Sequence, residues 1–137
     1  MKTILTFLLL IFALPSTAQE EGVTSPEIAV RVPLGQTVTI NGVNVHFGKV
    51  IEDSRCPKNV TCVWEGRAIV EVTASANDKE TEPMPVILGK VMANEAESKV
   101  FYENDAFIIK AVALTPYPEA GVEQEPYVLL VRCVDKS

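Results

Sequence analysis

The chain has 137 residues and a formal charge of −6, with 12 Lys and Arg against 18 Asp and Glu, and 47% of it is hydrophobic. That length suits one domain around a single core. The acidic balance excludes the clustered cations that nucleic acid requires and gives no attraction to anionic membrane surfaces.

Residues 1–18 place one cation, Lys2, ahead of an apolar run from Leu5 to Leu14 that only Thr6 interrupts, and close on Pro15-Ser16-Thr17-Ala18. This is the pattern of a secretory signal peptide cut after Ala18, with small side chains at Ser16 and Ala18. The run is about half of the roughly 20 residues that a spanning helix needs. Cleavage removes Lys2 alone among charged groups, so the formal charge moves from −6 to −7 (−6 − 1). An exported protein is expected, periplasmic or secreted, monomeric, and without membrane insertion once the signal is gone. Residues 19–26 are polar and aperiodic and read as a flexible lead into a single β domain over 27–135. No internal repeat or low-complexity tract points to further modules.

In Ile28-Ala29-Val30-Arg31-Val32 the branched residues alternate, the period of a strand with one face in a core, and Pro33-Leu34-Gly35 breaks it. Asn41-Gly42 then interrupts an alternating run from Thr37 to Phe47. This dipeptide favours a type I′ turn, so the segment reads as a hairpin in which Ile40 faces Val43 and Val38 faces Val45. Val38, Ile40, Val43, Val45 and Phe47 share the inner face in that register, and Thr37, Thr39, Asn44 and His46 share the outer one. His46 is the only histidine. With no second imidazole it cannot head a zinc site, which takes about three or four ligands, and no metal or cofactor is expected.

Ala68 to Ser75 alternates again, with Ala68, Val70, Val72 and Ala74 inward; Asn77 to Pro83 is a charged turn, and Met84–Leu88 and Lys99–Glu103 are short strand candidates around a stretch, Gly89–Ser98, that has room for a helical turn. Phe107–Leu114 and Tyr127–Val134 are apolar on both alternations, as expected of strands flanked by neighbours. The loop between them is stiffened by Pro116, Pro118 and Pro126. Seven or eight short strands with turns between them predict an all-β fold, an antiparallel β-sandwich of immunoglobulin-like appearance or a small barrel.

The remaining signal is Asp53-Ser54-Arg55-Cys56-Pro57-Lys58-Asn59-Val60-Thr61-Cys62-Val63-Trp64, which holds two of the three cysteines and the only tryptophan. Three pairings of Cys56, Cys62 and Cys133 are possible; proximity favours Cys56–Cys62, a short ring contributing about 2.4 kcal/mol through loop closure. Cys133 alternates with apolar residues and suits a buried free thiol.

The pattern D-S-R-C-P-x-x-V-x-C-V-W-x-G over residues 53–66 resembles the hallmark of a group of small exported bacterial proteins with no established activity. The resemblance extends to the Pro116-Tyr117-Pro118 turn and to a last strand opening on Tyr127. Glu65 departs from it, standing where the group has a small residue, and Cys133 is an addition. The resemblance implies export and an all-β fold, and a bacterial source implies no glycan on the Asn59-Val60-Thr61 acceptor sequence.

Three functions compete for this loop. In a binding or structural module of the cell envelope, Arg55, Lys58 and Trp64 would form a basic and aromatic spot for a protein, peptide or glycan. The preferred architectural version pairs Arg55 with Asp53 or loop carbonyls and buries Trp64 as a plug. A protease inhibitor would present Lys58 or Arg55 on the closed loop to a trypsin-like pocket. A hydrolytic enzyme is disfavoured, because no catalytic residues assemble: nucleophilic catalysis needs a base and His46 is the only imidazole.

Overall fold

The computed structural model describes residues 28–97 and 99–137. The expected signal peptide, its cleavage point and the flexible lead lie outside the described residues. Among the described residues nine strands form: β1 (Val30–Pro33), β2 (Thr37–Ile40), β3 (Val43–Asp53), β4 (Arg67–Ala76), β5 (Lys79–Glu80), β6 (Met84–Gly89), β7 (Val100–Glu103), β8 (Phe107–Thr115) and β9 (Val128–Asp135). They build two antiparallel sheets, β1-β9-β8-β7 and β2-β3-β4-β5, with β6 also on β4. The fold is a β-sandwich. Five of the seven strand pairings join strands adjacent in sequence; the exceptions are β1 with β9 and β4 with β6, and the chain passes from the first sheet to the second after β1 and back after β6.

The β2–β3 hairpin has the register its turn dictates. Ile40 pairs with Val43 and Val38 with Val45, and Asn41 and Gly42 take φ of 48° and 80°, as a type I′ turn requires. The inner residues Ile40, Val43, Val45 and Phe47 are buried, and the outer face is laced by Thr37 Oγ1 to His46 Nδ1 at 3.0 Å and Thr39 Oγ1 to Asn44 Oδ1 at 2.6 Å. The turn also reaches the other sheet, where Asn41 Nδ2 donates to Cys133 Sγ at 3.2 Å. Burial, and then the nearby Asp135 charge, push the pKa of the half-buried Cys133 thiol up against the opposing effect of Asn41.

Strand β3 continues six residues beyond Phe47, further than alternation alone suggests. Two register shifts, between Phe47 and Lys49 and between Val50 and Glu52, interrupt its pairing with β4. Each shift switches the face on which side chains land, so Val43, Val45 and Phe47 point inward, Val50 joins the core after the first, and Ile51 is left half exposed. The same device operates in β8: the shift between Ala111 and Ala113 lets Ile109, Ala111 and Leu114 all be buried. Strand β4 has no such break along its inner face, and Ala68, Val70, Val72 and Ala74 are all inside.

The charged turn after β4 is tighter than expected. Asn77 and Asp78 take φ of 51° and 60°, making a second two-residue turn that brings Ala76 opposite Lys79 and Ser75 opposite Glu80. Both residue types tolerate the left-handed region. The Gly89–Ser98 stretch holds turns and no helix among its described residues; Glu95 caps one turn by accepting from the Met92 amide at 2.9 Å. Strands β8 and β9 each have a partner on both sides, as their double apolar alternation implies.

Gly42→Ala should lower the unfolding free energy by about 1 kcal/mol, because a Cβ at φ +80° is strained even where space is open. His46→Ala, on the outer face, should change it by less than about 0.5 kcal/mol. Urea unfolding of the two variants beside the parent measures both.

Candidate functional site

Residues 54–66 connect β3 to β4 at one end of the sandwich, and the main chain there continues the hairpin for a short distance. Ser54 N donates to Arg67 O and Cys56 N to Glu65 O, each at 2.8 Å. Beyond these bonds Cys56 and Cys62 are joined, with their Cα atoms 5.9 Å apart, so the local pairing is the one formed and Cys133 is free. Lys58 lies across the Pro-rich loop between β8 and β9: its amide donates to Pro118 O at 2.9 Å, and the residue bridges Glu119.

Gly66 makes the close approach of the two arms possible. Its φ is +69°, and a Cβ built there would lie 1.8 Å from Ser54 O and 2.5 Å from Ser54 C. No side chain fits against a backbone at that distance. The final glycine of the motif is therefore dictated by the neck of the loop.

Arg55 turns back into the protein. Nε donates to Asp53 Oδ1 at 2.7 Å, Nη2 to Asp53 Oδ2 at 2.8 Å and to Pro116 O at 3.1 Å, and Nη1 to Leu114 O at 2.6 Å. The guanidinium also stands 5.1 Å from the centre of the Tyr117 ring, within the range of a cation–π contact. Asp53 is completed by Tyr127, whose hydroxyl donates to Oδ2 at 2.8 Å. Both charged side chains are only 10% exposed. Burial by itself pushes the Asp53 carboxyl up, but the hydrogen bonds from Arg55 and Tyr127 and the charge of Arg55 outweigh it and hold the group below its ordinary value. The Tyr127 hydroxyl moves upward, through burial first and then through its bond to Asp53 and the carboxylate charge.

This network uses Asp53, Arg55, Pro116, Tyr117 and Tyr127, drawn from three separate segments of the chain. Arg55 is paired as the architectural reading expects, and its engaged donors leave little of the fork for a carboxylate from outside. Trp64 corrects the other half of that reading. It is 76% exposed beside Val63 at 94%, so it does not plug the sandwich. The two residues lie between the disulfide and the Cys56–Glu65 hydrogen bond, a span too short to fold back over the core. Lys58 is exposed as well. The three candidate residues therefore separate into one buried anchor, Arg55, and two outward side chains, Lys58 and Trp64.

His46 sits half-buried on the outer face of β3 with Thr37 as partner. Among the described residues no group of three or more His, Cys, Asp or Glu could hold a metal ion, and no helix is long and apolar enough to cross a membrane. Comparison with protein-family models, with curated proteins and with solved structures gives no match.

Gly66→Ala should cost more than about 3 kcal/mol, since backbone must move to admit the methyl, whereas Gly121→Ala, at φ +80° with nothing near its Cβ, should cost about 1 kcal/mol. Thermal unfolding of the pair separates the steric clash from the strain common to both.

The Asp53 network has a pH signature. A carboxyl held below its unfolded value contributes fully above that value, 3.8, and loses the contribution as pH falls through the folded value. Asp53→Asn should therefore be less stable than the parent at neutral pH, with the difference shrinking below about pH 4. Arg55→Ala, which leaves the part-buried Asp53 carboxylate without its cation, should lose about 2 kcal/mol at pH 7. Unfolding midpoints between pH 2 and 7 test both.

Proposed function

We propose that this protein is a small exported binding module that engages a partner through the tip of the β3–β4 loop, with Val63 and Trp64 as apolar contacts and Lys58 as a flanking charge. The exposure of Trp64 carries the reading. A tryptophan left three-quarters in water forgoes a large burial gain, and tryptophan anchors are over-represented where binding energy concentrates. The loop is also held in place before any partner arrives, by the disulfide at its tip and the buried Arg55 at its base. Such preorganisation removes part of the ordering cost of binding.

Export rests on residues 1–18, and the Cys56–Cys62 bond is compatible with the oxidising compartment that export implies. The resemblance of residues 53–66 to small exported bacterial proteins supports the same placement. The exposed surface of one aromatic and one aliphatic side chain suits a protein or peptide partner, with a glycan stacking on Trp64 as the alternative ligand of the same tip.

An inhibitor is the weaker reading. A residue entering a protease pocket needs its main chain free to pair with the enzyme, but the Lys58 amide is taken by Pro118 O and Arg55 points inward. Catalysis is weaker still, since the hydrogen bond of His46 is to the Thr37 hydroxyl and its cross-strand neighbour on β4 is Thr73, an arrangement with no nucleophile and base in evident partnership.

Trp64 is the only tryptophan, so its fluorescence reports on the site directly. In the free protein its emission should be red-shifted and readily quenched by acrylamide. Exported proteins and cell-wall glycans retained by the immobilised protein should be lost with Trp64→Ala and reduced with Lys58→Ala, while unfolding of the Trp64 variant stays within about 0.5 kcal/mol of the parent. Equal retention by the parent and by Trp64→Ala would overturn the proposal.

A further inference from the structure

A second surface, separate from the loop tip, lies where β8 outruns β7. Strand β7 pairs with β8 only through Ile108, Ile109 and Lys110, and one further bond runs from Ala111 N to Lys99 O at 2.8 Å. Past that point no described residue of the β7 segment is paired with β8. From Val112 to Thr115, β8 has β9 on one side and, among the described residues, no strand on the other.

This edge lines a shallow groove together with Leu88 and Gly89 at the end of β6, Lys99, and the Tyr117–Arg55 stack. Leu114 gives its carbonyl to Arg55 Nη1, away from β9. Along a strand the amide and carbonyl of one residue project to the same side, so the Leu114 N–H is directed into the groove as a donor. Val112 on the same stretch is 39% exposed. A backbone amide turned away from its own sheet beside apolar side chains is the arrangement that sheet edges offer to an added strand.

The size and charge of the groove choose the occupant. Its volume, about 220 Å³, is below the roughly 300 Å³ at which pockets for small molecules begin, but one side chain of a peptide lying along the edge would fit. The Arg55 charge is already balanced by Asp53. Lys99, exposed at the groove, is then the charge that a ligand meets, on a protein whose net charge is −6. We propose that the Val112–Leu114 edge of β8 accepts an extended peptide strand carrying an acidic side chain opposite Lys99.

Two pools of acetylated, amidated hexapeptides test this, one alternating Val or Thr with Glu and the other alternating the same residues with Lys. Titrated into the isotope-labelled protein, the Glu pool should shift the amide signals of Val112, Ala113 and Leu114 and slow hydrogen exchange at Leu114, and the Lys pool should do so about three- to tenfold more weakly. Lys99→Glu, an exposed substitution, should reverse the order of the two pools. Trp64→Ala should leave both titrations within about twofold, which separates this edge from the loop tip, because the tip fails with Trp64→Ala and the edge with Lys99→Glu. The proposal is overturned if neither pool perturbs Val112–Leu114 at millimolar peptide, if the shifts map to the β2 or β5 edge, or if Lys99→Glu leaves the order unchanged.

Discussion

Much of the loop end of this sandwich depends on one part-buried ion pair, Asp53 with Arg55. Taking two charges out of water costs several kcal/mol per ion unless their hydrogen-bonding capacity is met in place. Here it is met from all sides. The carboxylate accepts from Arg55 and Tyr127, and the guanidinium gives its other bonds to Leu114 O and Pro116 O. Those acceptors belong to the end of β8 and to the loop that follows it, and Tyr127 opens the approach to β9. The pair therefore ties the end of β3, in one sheet, to the end of β8, in the other. The facing sheets of a β-sandwich meet through side chains, and at this open end the ion pair acts beside the Lys58 N to Pro118 O bond in linking the two layers.

The same pair explains why residues far apart in sequence read as parts of one pattern. Asp53 and Arg55 belong to the cysteine segment, Pro116 and Tyr117 to the proline turn, and Tyr127 to the start of the last strand. Each is individually unremarkable in composition, and their common purpose is visible only once the fold has brought them within hydrogen-bonding distance. A single sequence carries no signal for such long-range pairing. Its one hint was the i, i+2 spacing of Asp53 and Arg55, which allows a local ion pair and says nothing about Tyr127.

Local chemistry, in contrast, was legible. The Asn41-Gly42 turn fixed the β2–β3 register because only residues that accept positive φ fit a type I′ turn, and the uninterrupted alternation of β4 placed four residues in the core. Reading failed where a bulge switched the parity of a strand. After Gly48 the inner positions of β3 move from odd to even numbers, and a period-2 count loses the strand although Val50 is packed in the core. The stretch from Asn77 to Pro83 reads in sequence as one charged turn; the tolerance of Asn77 and Asp78 for the left-handed region closes it within two residues and lets Lys79 and Glu80 pair as β5.

Trp64 was misjudged by a rule that is sound on average, since a lone tryptophan in a small domain is usually its largest buried side chain. That rule assumes the chain on either side is free to bring the ring home. Here the residue is two places past Cys62 and one before Glu65, and both positions are pinned, one by the disulfide and the other by the bond from Cys56 N. Burial at the base of the loop and exposure at its tip are thus two results of one geometry. The Gly66 neck brings the two arms into close backbone approach, Arg55 turns inward to Leu114 O and Pro116 O, and the short arc beyond leaves Val63 and Trp64 projecting outward. An aromatic on such an arc costs little additional entropy when it meets a surface, because the arc has already been ordered by folding. The rigidity that denies Trp64 a place in the core is what makes it suitable as a contact residue.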